Sequence, residues 1–242
     1  MTKTRTGRLS RLIATLLILI MICSMLPMAA FADGPALTSW AELQSALNAG
    51  GTVTLTQSIT AGAGDTALTV PVGVTVTLDL NGFTLDRAAD SRSDANRSIT
   101  INGSLTLKDS SADGTGTIKG GRSLDGSDVY VAAGATFTMY GGSIIGRYPA
   151  GSEIYNYLLE TNSGVHVAAG ATFTMYDGKI SKHHCTAGNT GGVRLYGGTF
   201  VMYGGEISDN RSEENGGGVC MENGSTFTMH GGKIPATREE AL

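Results

Sequence analysis

From Thr52 onward the chain places apolar residues at every second position in short runs. Val53 and Leu55 come first, then Leu68 and Val70, then Val74, Val76, Leu78 and Leu80. Alternation of this kind predicts short strands with one buried face. The Asn81-Gly82 pair predicts a tight turn, after which Phe83 and Leu85 resume the buried face. Ile99/Ile101, Leu105/Leu107 and Ile118 make the next unit. Later units keep its three-part form: Val129/Val131, Phe137/Met139, Ile144; Val165/Val167, Phe173/Met175, Ile180; Val193/Leu195, Phe200/Met202, Ile207; Val219/Met221, Phe227/Met229, Ile234.

The middle strand of these units is nearly repeated word for word, as Thr136-Phe137-Thr138-Met139-Tyr140-Gly141-Gly142 and Thr172-Phe173-Thr174-Met175-Tyr176-Asp177-Gly178 show. The four phenylalanines lie 36, 27 and 27 residues apart, a period that belongs to repeat architectures. One unit cannot bury its Phe/Met/Ile face alone, so the copies must stack. The expectation is an all-β solenoid, a parallel β-helix with about 27-residue rungs, three strands per rung and about six or seven rungs. Phe137, Phe173, Phe200 and Phe227 should stack inside it, with Met139, Met175, Met202 and Met229.

Residues 39–49 carry a different period. Ser39 and Glu42 are spaced as a capping box, Trp40, Leu43 and Leu47 form an apolar stripe, and Gly50-Gly51 ends the run. This predicts a short amphipathic helix just before the first rung. It either covers the open end of the stack or packs on its side. Ahead of it, Lys3, Arg5, Arg8 and Arg11 precede the apolar run Leu12 to Met25, and Ala30-Phe31-Ala32 gives a small-x-small cleavage pattern. An apolar run of about 14 residues falls short of a membrane span. The chain is therefore divided into 1–32, a cleaved secretory signal peptide; 33–51, the N-terminal capping helix region; and 52–242, the parallel β-helix repeat domain. A secreted or cell-surface location follows, with no stable membrane span after signal cleavage.

The whole chain has 17 basic and 21 acidic residues. Loss of the signal removes four basic residues and leaves 13 against 21, a net charge of −8. That balance disfavours nucleic-acid binding. Cys185 and Cys220 remain in the exported part; they are able to pair outside the cell, but two cysteines are no disulfide framework. After Ile234-Pro235 only a short polar tail remains. The expectation is a weak cap or a shortened version of a longer protein, with end-to-end self-association through an open last rung built on Phe227, Met229 and Ile234.

The repeated pattern Gly-Gly-Val-x-Val … Gly-x-Thr-Phe-Thr-Met-x-Gly-Gly-x-Ile-Ser-x-Asn resembles the repeats of secreted bacterial surface proteins with a pectin-lyase-like β-helix. The helix followed by Gly50-Gly51-Thr52-Val53-Thr54-Leu55 resembles their N-terminal part. The resemblance covers about residues 37–235 and implies a right-handed coil. Such proteins divide between carbohydrate-active enzymes and adhesin-like proteins without known catalysis, so the fold alone does not decide between them.

Outward positions form columns across rungs. Tyr130, His166, Arg194 and Cys220 make one; paired threonines make a second; Ser143, Lys179, Glu206 and Lys233 make a third, a charge ladder that sets register. Asp79 and Lys108 are read as the same kind of exposed pair. Tyr140, Tyr176, Tyr203 and His230 form an aromatic column that suits pyranose rings or a protein partner, or else only stacks to stabilise rungs. The threonine columns read as a hydroxyl–methyl lattice of the ice-binding kind or as ordinary strand surface. The long 144–165 connection adds Tyr148, Tyr155, Tyr157 and Leu158, and the polar 86–97 loop leaves the same corner, so these loops line a binding edge or pack on themselves. Tyr140, Tyr176, Tyr203, His230, Tyr155 and Tyr157 are the candidate ligand-binding residues. No paired-aspartate, Gly-His-Gly or Arg-Ile-Lys element of the pectin-hydrolase pattern occurs. His183-His184-Cys185 has metal-capable side chains, but neighbours on an extended strand diverge. No catalytic set, metal or cofactor is expected. The reading is a non-catalytic, adhesin-like protein binding a glycan or surface protein; the alternative is a polysaccharide lyase or hydrolase of the same fold.

Overall fold

Three parallel sheets wrap around one core, and the chain visits them in rotation. The computed structural model describes residues 37–89, 96–121, 126–147, 163–185, 191–212 and 216–235. The first sheet has seven strands: Gly51–Thr54, Thr75–Asp79, Ser104–Lys108, Thr136–Met139, Thr172–Met175, Thr199–Met202 and Thr226–Met229. The second, running from Ile59–Thr60 to Glu206–Ser208, and the third, from Leu68–Val70 to Val219–Glu222, have six each. A six-stranded sheet takes five steps from first strand to last, so the six or seven expected rungs amount to about five turns, spaced about 28 residues. A further two-stranded pair, His184–Cys185 with Arg211–Ser212, sits at a corner.

Register follows the repeated motif residue for residue. Phe137 faces Phe173, Phe173 faces Phe200 and Phe200 faces Phe227, because a parallel ladder aligns identical positions of consecutive copies. The first three phenylalanines are fully buried, as are Met139, Met175 and Met202. The rings stack with centroids 4.6–5.0 Å apart. The last rung departs from expectation. Phe227 is only half-buried and Met229 is 43% exposed, since the described residues supply an inner neighbour and none on the far side.

The turn after the first sheet has one steric requirement. Gly178, Gly205 and Gly232 adopt φ of 105°, 85° and 93°, which favours glycine. A Cβ at any of them would also lie 2.5 Å from the Cε of Met139, Met175 or Met202 in the preceding rung. The Gly therefore serves both the turn and the methionine packed beneath it.

The helix Trp40–Ala49 has the expected capping box, with the Ser39 hydroxyl accepting from the Glu42 N–H and the Glu42 carboxylate accepting from the Ser39 N–H. Trp40, Leu43 and Leu47 are buried. The helix packs on Gly51–Thr54 and Leu68–Val70, the first strands of two sheets, which favours the end-cap reading. Gln44 imitates a neighbouring strand: its amide donates to the Thr69 carbonyl at 2.9 Å and accepts from the Thr69 N–H at 2.7 Å. This satisfies backbone groups that an edge strand leaves open. The Trp40 indole N–H donates to the Thr66 carbonyl at 2.8 Å. Among the described residues no helix is long and apolar enough to cross a membrane. The leader, the 148–162 segment with Tyr148, Tyr155, Tyr157 and Leu158, and the 236–242 tail lie outside the described residues.

Candidate functional site

Alternation along the first sheet turns Phe137 and Met139 inward and leaves Thr136, Thr138 and Tyr140 on the outer face, and each later copy does the same. Parallel register then sets Tyr140, Tyr176, Tyr203 and His230 one above another just past the strand ends. Their rings stack with centroids 4.7, 5.0 and 4.9 Å apart and interplanar angles of 3°, 7° and 13°. The tyrosines are 53%, 42% and 48% exposed. Because each ring covers the next one's face, the ladder offers solvent its edges and hydroxyls, and flat faces only at its two ends. Of the six candidate residues, the structure brings these four together; Tyr155 and Tyr157 are not described.

Beside the ladder runs a shallow groove with a glycine floor, bounded by Tyr140, Asp177, Lys179, Glu206 and Lys233. Its far wall is the expected charge column. Lys179 Nζ lies 3.0 Å from Glu206 Oε1, both groups are well exposed, and Lys233 bridges to Glu206 through the backbone. A hydrogen bond from the Ser208 hydroxyl, then Lys179, holds the Glu206 carboxyl below its usual range. An exposed pair of this kind adds about 0–1 kcal/mol, so it serves register.

Asp79 corrects the reading of a similar surface pair at the other end of this face. Its side chain is buried, with Lys108 Nζ 2.9 Å from Oδ2 and the Asn81 and Ser110 N–H groups both donating to Oδ1 at 3.0 Å. Burial pushes its pKa up, but the bonds from Lys108, Ser110 and Asn81 outweigh that and leave it lowered. Asp109 does the same one rung on, gathering the N–H groups of Gly82, Ser111 and Gly116. These carboxylates tie turns of adjacent rungs together. Sequence spacing put Asp79 on an outward position but gave no sign of the turn folding over it.

The third sheet carries a second polar column. Arg97 lies 4.2 Å over the Tyr130 ring, Tyr130 meets His166 edge-on at 5.1 Å, and Arg194 donates to both Glu222 oxygens at 3.0 and 3.2 Å. Burial first, then Arg194 and Arg97, depress the His166 pKa to about 4. Cys220 pairs in register with Arg194, and neither it nor Cys185 is in a disulfide.

A buried trio was not foreseen. His183 is fully buried, its Nδ1 3.0 Å from Asn210 Oδ1 and its Nε2 3.0 Å from Asp128 Oδ2. Asn210 Nδ2 donates to the Ile180 carbonyl at 2.9 Å, which turns its oxygen toward the histidine. The signal lay in the repeat: His183 and Asn210 occupy the same place 27 residues apart, and Asp128 stands where later copies have Gly164, Gly192 and Gly218. The trio is enclosed and links rungs. Among the described residues no cluster of three His, Cys, Asp or Glu side chains is placed to hold a metal ion.

Comparison of the chain with family models, with curated proteins and with solved structures finds no match in any of the three.

Proposed function

We propose that this chain is a secreted, non-catalytic, adhesin-like β-helix protein that binds a glycan or a surface protein along the edge of its aromatic ladder. The observation that carries this reading is the ladder itself: three stacked tyrosines about half exposed on a rigid strand face, with no partner within the protein for their hydroxyls among the described residues. Ring edges that carry a free hydroxyl rim suit recognition of sugars and of polar protein surfaces. Secretion rests on the basic n-region, apolar run and Ala30-Phe31-Ala32 of the leader. The pectin-lyase-like kinship stays part of this proposal and rests on the repeated motif. End-to-end self-association through Phe227, Met229 and Ile234 belongs to it as well.

Stacking alone would account for the ladder without any ligand, and one variant separates the two roles. Tyr176→Phe keeps the ring and its stacking but removes a hydroxyl, so thermal stability should hold while retention on a glycan array falls severalfold. Equal retention by the wild type and the variant would leave the ladder a purely structural device. Release of reducing ends or unsaturated products from polygalacturonate, abolished by a surface carboxylate substitution, would replace the reading with a lyase or hydrolase.

A further inference from the structure

The aromatic ladder is one column of a wider surface. On each of four consecutive rungs the outward positions read Thr136-Thr138-Tyr140, Thr172-Thr174-Tyr176, Thr199-Val201-Tyr203 and Thr226-Thr228-His230, in strict register. Neighbouring strands stand about 4.8 Å apart and alternate residues of one strand about 6.7 Å apart. The outer face is therefore a two-dimensional grid of hydroxyls and methyls bordered by aromatic edges. No carboxylate, ammonium or guanidinium occupies any of these positions. Among the described residues, the hydroxyls of Thr136, Thr138, Thr172, Thr174 and Thr199 have no hydrogen-bond partner in the protein.

From these features we infer that the outer face of the first sheet binds the surface of an ordered, neutral, hydroxyl-bearing polysaccharide rather than a single dissolved chain. The inference rests on the proposed binding role of the ladder and specifies its ligand. An uncharged grid with free donors and acceptors complements a neutral polyol and gives an anionic polymer nothing to pair with. The stacked rings leave no open face within the ladder for an isolated pyranose, whereas their edges and the threonine hydroxyls together make a flat contact area. The grid is fixed by backbone ladders on both sides of each inner strand. A flexible chain must give up conformational freedom to match it, and a chain already held in a fibre or crystal has none to lose. The same grid could meet ice, but Val201 interrupts the hydroxyl columns and the aromatic border breaks the lattice, so the polysaccharide is favoured.

The test uses the purified protein with microcrystalline cellulose and chitin as particulate probes and hydroxyethyl cellulose and chito-oligosaccharides as soluble ones. Depletion by at least one particulate, with no retardation by the soluble probes, is expected. The double variant Thr138→Val/Thr174→Val keeps β-branched shape and removes two hydroxyls, and should weaken depletion about tenfold. Thr174→Lys places a charge in the grid and should weaken it further, with melting temperature reporting that the fold persists. Binding to the soluble probes that is lost in Tyr176→Phe and kept in both threonine variants would overturn the ordered-surface inference and leave the ladder reading standing. No binding to either form would overturn the inference and, with a blank glycan array, the glycan arm of the ladder reading. Thermal hysteresis in freezing solutions, lost in the threonine variants and without depletion by cellulose or chitin, would overturn it in favour of ice.

Discussion

His166 sits between the Tyr130 ring and the Arg194 guanidinium, with Arg97 beyond the tyrosine. Removal from water, then the two arginines, lower its pKa to about 4, against a weaker opposing pull from Glu222. An unfolded chain takes up this proton near pH 6.5. Between about pH 6.5 and 4 the unfolded state thus binds more protons than the folded one, and stability falls as the pH falls. His166→Gln removes the titrating group. Its melting temperature should drop less than that of the wild type between pH 7 and pH 5; parallel drops would show that the acid sensitivity arises elsewhere. Asp79 and Asp109, with pKa values lowered in the folded state, add their losses only at lower pH, below about 3.9.

At the scale of the element, the turn from the first sheet to the second is the joint that every rung repeats. Gly205→Ala would force a Cβ to φ 85° and to 2.5 Å from Met175 Cε and 2.7 Å from the Gly178 carbonyl oxygen. Gly134→Ala meets the same left-handed requirement at φ 74° but finds nothing within 4 Å. The first should cost the conformational penalty of about 1–2 kcal/mol plus about 1–3 kcal/mol of overpacking, the second the conformational penalty alone. Urea denaturation of the two variants gives the comparison, and equal costs would mean that the methionine yields freely. The strands on either side of these joints were legible because inward and outward residues alternate with period two, and the repeated Thr-Phe-Thr-Met motif fixed which residue faces which. Corners were not legible. There alternation stops reporting direction, and polar side chains such as His183 and Asn210 go inside, where Asp128 meets them from the strand Ser127–Val131. The aromatic column was placed correctly from spacing, but spacing does not say whether rings show faces or edges. That depends on the side-chain torsions, which stacking at 4.7–5.0 Å decides.

Over the whole molecule, each rung touches only its neighbours, so stability accumulates through nearest-neighbour contacts and need not be uniform. The first rungs have the helix with Trp40, Leu43 and Leu47 packed on them and Gln44 closing an edge. The interior rungs have fully buried Phe137, Phe173 and Phe200. The rung made by Val219–Glu222 and Thr226–Met229 contrasts with both: Met221 is 50% and Met229 43% exposed, and Phe227 stacks on Phe200 with one face. Among the described residues its opening releases one interface, whereas opening an interior rung breaks two. Native-state hydrogen exchange should therefore show the lowest protection at amides of residues 219–233, intermediate values in the preceding rung and near-global values around Phe137 and Phe173. Association through this rung would cover it, so its protection should rise with protein concentration while the interior stays constant. Association through the tyrosine face would leave the protection of residues 219–233 independent of concentration, because those backbone amides bond along the ladder and not outward. Uniform protection along the whole solenoid would mean that the rungs open as a single cooperative unit, and the nearest-neighbour account would fail.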